Sequence, residues 1–285
     1  MDKINALLRQ INEADAILVG AASGMSTAAG MDFWYEDSLL YNTEIRYYAD
    51  KYGFHGIFNG FYNHFESEEE HWGFYLAALD MILNLPAQKP TYKNLKRLLK
   101  DKDYHIMTTN QDTLFFQDFP AEKISEIQGS WNYFQSERPS SDQNLYSTRQ
   151  LLAQVQGQVR EHKLPKTAIP YSPVNGAKLI PWARGPEFLE GKRYFEEHKK
   201  INQFLGQYQG QKILFLELGV GRMTPMFIQE PFWEMTNAMK QAFYVNINPK
   251  DALTHPQIVD RSLLIHEDIN NVLAAAVQKL EGKNV

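Results

Sequence analysis

Apolar positions along the chain follow two rhythms. Short segments rich in apolar residues at 16–19, 104–108, 124–127, 212–218, 242–247 and 262–266 predict six strands. Between them apolar residues recur at helical spacing. Leu7, Leu8, Ile11 and Ala14 precede the first strand. Trp72, Tyr75, Leu76, Leu79, Ile82 and Leu83 mark a helix over 68–83, opened by Ser67 and acidic residues and stopped by Pro86 and Pro90. Tyr92, Leu95, Leu98 and Leu99 mark the next, over 91–99. Further helices are expected at 148–161, at 195–208, and from an Asp268 cap to about Leu280. Strands alternating with helices predict an α/β fold, a Rossmann-like doubly wound and mostly parallel sheet. The aromatic stretches around Tyr41, Tyr47, Tyr48, Phe58, Phe61 and Tyr62 read as core or covering helices, with a cleft wall as the alternative.

Ligands of such sheets bind beyond the carboxyl ends of the strands. Four strand ends carry small or amide residues: Gly20, Thr109-Asn110, Gln128-Gly129 and Gly219-Val220-Gly221. The first is the most developed. Residues 16–33, AILVGAASGMSTAAGMDF, read as a strand, a small-residue turn and a helix start, with Ser23 or Ser26 as cap. Backbone N–H groups and the positive helix end suit a pyrophosphate there. A plain strand-to-helix turn that binds nothing fits the same letters. From Ser136 onward the composition becomes polar and then rich in proline and glycine. A small insert at 130–184 is therefore expected within a Rossmann-like domain made of 1–129 and 185–285.

A net charge of −5 gives no broad footprint for nucleic acid. The absence of cysteine excludes disulfides, thiolate zinc sites and a cysteine nucleophile. The N-terminal segment lacks the apolar core of a secretion signal, and no apolar run reaches membrane-spanning length. A cytoplasmic protein is the expectation.

The motifs GAASGMSTAAGMDF, TTNQD, IQGSW and LELGVGRMTP, in this order, resemble the sirtuins, the NAD-dependent protein deacylases, over nearly the whole chain. The likeness is nearest to the bacterial macrodomain-linked branch of protein ADP-ribosyltransferases. It implies the sirtuin fold and NAD as cofactor. It places Gly20, Ala21, Ala22 and Met25 around the pyrophosphate, and Asp32 and Phe33 beside the nicotinamide ribose. Asn110 is implied to contact that ribose and orient water, and Asp112 to hold the carboxamide. Gly219, Val220 and Gly221 would surround the adenosine ribose and phosphates, Asn246 the adenine ribose, and Asp268-Ile269 the adenine. The implied partners are a protein acceptor of ADP-ribose, a lipoyl-carrier protein among the candidates, and a macrodomain protein. Without the resemblance, Asp112 reads as a helix cap and Asn110 as a turn residue.

Three departures matter. Where deacylating sirtuins carry Leu-His-Gly, this chain has Ile127-Gln128-Gly129. Histidine takes a proton from a ribose hydroxyl during deacylation, and an amide has no useful pKa for that. Gln128 keeps its hydrogen bonding and favours ADP-ribose transfer or NAD hydrolysis. Ser136, Ser140, Ser172 and Asn175 stand where two cysteine pairs would hold zinc. Neutral hydroxyls and amides are poor zinc ligands, so no metal is expected. Packing of Tyr133, Phe134, Tyr171, Pro173, Leu179, Pro181 and Trp182 is expected to hold the insert instead. Finally, Ala22 replaces a glycine and Trp34 an arginine, which crowds the pyrophosphate and removes a phosphate contact. The leading expectation is an NAD-dependent ADP-ribosyltransferase with Asn110, Asp112 and Gln128 as its catalytic set. The alternatives are a protein deacylase and a non-catalytic NAD or ADP-ribose binding module.

Overall fold

A computed structural model describes residues 2–282. Its strands are β1 (Ala16–Ala21), β2 (Asp103–Thr108), β3 (Ile124–Glu126), β4 (Gly129–Ser136), β5 (Leu145–Ser147), β6 (Leu179–Ala183), β7 (Ile213–Leu218), β8 (Phe243–Ile247) and β9 (Ser262–Ile265). Six form one sheet in the order β3-β2-β1-β7-β8-β9, and every pairing in it is parallel. All six runs predicted as strands are found in this sheet.

The central strands are apolar without alternation because helices cover both faces. Every residue of β1 and β7 is buried. Ile17, Val19 and Ala21 face one core with Leu7, Ile11, Leu79 and Leu273. Ala16 and Leu18 face the other with Ile201, Phe204, Phe215 and Phe232. Along the sheet the chain runs outward from β1 to β2 and β3, then returns to the other side of β1 and runs outward through β7, β8 and β9. The direction of winding therefore reverses between β1 and β7. A crevice opens at the carboxyl ends of the two strands, as in other doubly wound sheets.

The helices at Lys3–Glu13, Glu68–Asn84, Thr91–Leu98, Lys192–Gln207 and Ile269–Leu280 lie where the spacing placed them. Ser67 caps the second and Asp268 the last, each accepting a backbone N–H three residues on. The helix expected over 148–161 is shorter. It runs Thr148–Val155 and stops before Gly157, whose φ of +75° leaves the helical region.

Strands β4, β5 and β6 form a second, antiparallel sheet in the order β5-β4-β6. Phe134, Leu179 and Trp182 are buried in it, as expected. Tyr171 and Pro173 are exposed and contribute no core; the Tyr171 hydroxyl instead donates to Glu68 at 3.0 Å. The apolar weight is carried by stacking of Phe134 on Trp72 and of Trp131 on Phe61. None of the described helices is long and apolar enough to cross a membrane.

Candidate functional site

The loops that follow β1 and β7 meet face to face. The Gly24 N–H donates to the Gly219 carbonyl at 3.1 Å, and the Ala22 N–H to Leu218 at 3.1 Å. A Cβ on Gly24 would lie 2.6 Å from the Gly219 Cα, and Gly219 itself has a φ of +68°. Both positions thus need glycine, one for close approach and one for its backbone angle. The helix after the first loop is brief, Ser23–Ala28, and its cap position is Ala22, with no side-chain cap. Neither Ser23 nor Ser26 caps it. The Ser26 hydroxyl has a stronger acceptor, the Asp112 carboxylate, 86 residues away in sequence.

That bond belongs to a buried polar group beneath the end of β2. Asp112 is 1% exposed. One oxygen accepts from Ser26 and the other from the Leu114 N–H at 3.2 Å, so Asp112 does cap the turn after it. Complete burial pushes its pKa up to about 6 against the pull of these bonds. The Tyr92 hydroxyl sits in the same group without a partner, and burial together with the Asp112 charge raises its pKa well above 10. Asn110 is held by its backbone, whose N–H donates to Thr108 Oγ1 at 2.9 Å. Its side-chain Nδ2 is buried and has no partner. An unpaired buried amide is costly, of order 1–3 kcal/mol, and marks a place where a ligand acceptor fits.

A cleft of about 270 Å³ opens above Asn110. Ala22, Ser23 and Gly221 form its floor at the β1–β7 reversal, with Thr109, Asn110, Gln111 and Gln128 beside them. Trp34, Tyr35, Phe58 and Tyr62 make an aromatic wall; Met223, Thr224 and Phe227 face it. For Phe58 and Tyr62 the cleft-wall alternative holds, whereas Tyr41 and Tyr48 are core. The Gln128 carbonyl accepts from Gln111 Nε2 at 3.0 Å and from the Arg184 N–H at 3.1 Å. Gln128 itself lines the cleft. Arg184 is the cation of the lining. Its guanidinium pairs with Glu190 at 2.6 Å and lies over Phe188 at 4.3 Å from the ring centre.

Of the residues singled out from the sequence, Ala22, Asn110, Gln128 and Gly221 line this cleft, and Asp112 lies in the polar group beneath. Gly219 supports the floor. Gly20 is buried in β1, where its missing side chain makes room for Ile228 and Phe232; a Cβ there would lie 2.4 Å from one and 2.7 Å from the other. Ala21 and Met25 are fully buried behind the loop. Phe33 is fully buried against Trp34, so the neighbouring ring, not Phe33, reaches the cleft. Asp32 is exposed and accepts from the Ser38 hydroxyl. Val220 is buried, and its carbonyl accepts from Asn248 Nδ2 at 2.9 Å. Asn246 is fully buried in a network with Glu217 and Tyr244. Asp268 caps its helix and Ile269 is core. The sequence reading missed Arg184, Met223, Thr224 and Phe227. Only the last three had a signal, their place in the loop after β7.

The positions that would hold zinc carry a different device. Ser136 Oγ and the Asn175 side-chain amide bond at 3.1–3.2 Å, and Asn175 Nδ2 also reaches Ser141 at 2.8 Å. Ser172 donates to Asp142 at 2.6 Å, and Asp142 also accepts from Tyr146 at 2.7 Å and twice from Asn144. Ser140 is exposed; its neighbour Ser141 takes the place expected for it. Among the described residues no three His, Asp or Glu side chains gather in a metal-holding group.

No family model matches the chain. It is 28% identical over 272 residues to a protein ADP-ribosyltransferase of Staphylococcus aureus, covering 94% of this chain and 85% of that one. It is 27% identical over 230 residues to a probable bifunctional ADP-ribose hydrolase/ADP-ribosyltransferase of Fusarium oxysporum f. sp. cubense, covering 78% of this chain and 38% of that longer one. Among solved structures, a Sir2 homologue in complex with NAD superposes with a TM-score of 0.57 at 14% identity, over 98% of this chain and 94% of the other. A Sir2 bound to acetylated peptide gives 0.58 at 14% identity, over 99% of each chain. With these superpositions the chain has the fold of the sirtuins, and in sequence it is similar to the two named ADP-ribosyltransferases.

Proposed function

We propose that the chain is an NAD-dependent protein ADP-ribosyltransferase, which cleaves NAD to nicotinamide and transfers ADP-ribose to a protein acceptor. One observation carries the choice of transfer over deacylation: Gln128 lines the cleft where a base would have to stand, and an amide neither takes up nor releases a proton near pH 7. The S. aureus relative, named a protein ADP-ribosyltransferase, supports the same reading.

The residues fit the dinucleotide. The floor built on Gly24 and Gly219 brings backbone close to the cleft, and the unpaired Asn110 Nδ2 offers a donor beside it. When bound, NAD supplies the activated bond between nicotinamide and ribose. Asn110 orients the ribose side of that bond, and its amide oxygen suits the positive charge that develops there. Asp112 fixes the end of β2 through Ser26 and Leu114, and on the family resemblance it would hold the carboxamide. Gln128 holds ribose or acceptor by hydrogen bonds without moving a proton. The acceptor partner is a protein, with a lipoyl-carrier protein the first to try and a macrodomain protein as the functional partner; these two rest on the family resemblance alone.

The test is incubation with adenylate-labelled NAD and a cell extract, scored for protein-bound label, free nicotinamide and free ADP-ribose. Protein-bound label that tracks nicotinamide release is the expected result. Nicotinamide release that depends on acetyl-lysine peptide would replace this reading with deacylation. Binding with no release under any condition would replace it with a binding module.

A further inference from the structure

One buried carboxylate near the end of β7 is not used by the chemistry above. Glu217 is the penultimate residue of β7 and is fully buried. Its donors are all neutral: Gln229 Nε2 at 2.9 Å, Asn246 Nδ2 at 3.0 Å and the Tyr244 hydroxyl at 2.6 Å. The other three side chains are buried as well. A carboxyl group in this setting costs desolvation free energy that an apolar residue would avoid. Burial pushes its pKa up to about 7, which restates that cost.

What the group gains is position. Gln229 opens the helix Gln229–Ala238, directly after residues 221–228. Met223, Thr224 and Phe227 of that segment form one wall of the cleft, and Gly221 belongs to its floor. The segment ends at Ile228, which packs with Phe232 on the bare backbone of Gly20. Val220 at its start is held by Asn248. The wall is therefore anchored at both ends, and Glu217 is the polar anchor at the helix end. We infer that Glu217 is a positioning residue for the nucleotide cleft: by holding Gln229 against the sheet it sets the wall formed by 221–228. The inference rests on the reading of the cleft as an NAD site.

The experiment compares Glu217→Gln, Glu217→Leu and Gln229→Leu in the full chain. Glutamine at 217 keeps an acceptor for Gln229 and Asn246 and can donate to Tyr244, so it should bind like the parent. Leucine at either position should weaken NAD and ADP-ribose binding roughly tenfold by calorimetry, the scale of one lost buried hydrogen bond. Amide hydrogen exchange should rise across 221–228 and not in β1. Unchanged binding and exchange in both leucine variants would overturn the inference, as would faster exchange spread evenly over the chain or global unfolding of both. If the parent binds neither nucleotide, the NAD reading fails, while exchange still reports whether Glu217 sets the wall.

Discussion

The cleft at the ends of β1 and β7 and the polar knot of the small sheet are made of the same residue types, serines, asparagines and one buried aspartate each. They differ in pairing. In the knot, Asp142 accepts from Ser172, Tyr146 and Asn144, and Asn175 bonds both Ser136 and Ser141. Burial raises the Asp142 pKa, but these bonds together outweigh it and hold the group below the ordinary carboxylate range. In the cleft, Asp112 receives one hydroxyl and one N–H, and burial wins. The Asn110 Nδ2 and the Tyr92 hydroxyl nearby make no hydrogen bond of good geometry, although Tyr92 lies close to both Asn110 and Ser26. A satisfied buried network stabilises a fold. An unsatisfied one beside an opening is held in place by the surrounding structure and is available to a ligand. The same chemistry thus serves stability in one region and, on the proposed function, binding in the other.

The sharpest way to break this contrast is Asn110→Ala. If Asn110 serves the ligand, nicotinamide release should fall roughly a hundredfold or more, the scale for losing one oriented polar group at a reacting centre. The melting temperature should not fall, because the amide donor has no partner to lose. A variant that keeps its turnover would remove Asn110 from the site. The reciprocal change, Asp142→Ala, should cost about 2–3 kcal/mol in denaturant unfolding, since several buried donors lose their acceptor. Nicotinamide release per folded molecule should be unchanged. Because its folded-state pKa is depressed, the Asp142 contribution is present above the ordinary carboxylate value of 3.8 and is lost as pH falls below it. The parent should therefore lose stability on acidification more steeply than the variant.

The contrast also explains what the sequence disclosed. The six strands were legible because buried parallel strands are short segments rich in apolar residues, and amides at their ends marked the rim of the crevice. Asn110 and Gln128 were found that way. Pairing over long sequence distance was not legible. Ser26 reads as a helix cap until Asp112, brought by another strand, claims its hydroxyl. Arg184 enters the cleft through a backbone bond to Gln128, across the whole of the small sheet, with no local pattern to announce it. Phe33 and Trp34 are adjacent in a segment without helical or strand period, so which ring faced the cleft could not be read from spacing. In the knot, Ser140 and Ser141 differ by one register position in a loop, and only the folded path selects Ser141.

A smaller effect sharpens the comparison from the side of stability. With its folded-state pKa raised from 3.8 to about 6, Asp112 binds its proton more tightly in the folded than in the unfolded chain. Stability should therefore fall as pH rises through that window. Asp112→Asn keeps an acceptor for the Leu114 N–H and can donate to Ser26, and it never ionises. It should flatten that slope and gain about 1–2 kcal/mol at pH 7, while NAD binding weakens and ADP-ribose binding, which involves no carboxamide, does not. A steeper slope, or equal loss of both ligands, would show that Asp112 is part of the scaffold in the way Asp142 is.

The smallest effect is expected from Gln128→His. The Gln128 side chain makes no bond that the fold depends on; the carbonyl does the tethering, to Gln111 and Arg184. Stability should stay within about 0.5 kcal/mol, as for other substitutions away from packed or paired groups. The imidazole brings a group that titrates near neutrality, roughly pKa 6.5 when unperturbed. Arg184 stands beside it in the lining, and a neighbouring cation favours the neutral ring. A base of the right kind would then be present at the right strand end. Deacylation needs more than the base, because the acyl-lysine must also be held in line with the ribose. On the proposed function that task would fall to the walls of the cleft, Trp34, Tyr35, Phe58 and Tyr62 among them, which this substitution leaves as they are. Acetyl-lysine peptide with NAD should accordingly give O-acetyl-ADP-ribose only near background, measured by mass spectrometry beside nicotinamide release. Turnover at the rate of a working deacylase would show instead that the cleft already holds an acyl-lysine, and that a single amide separates the two activities.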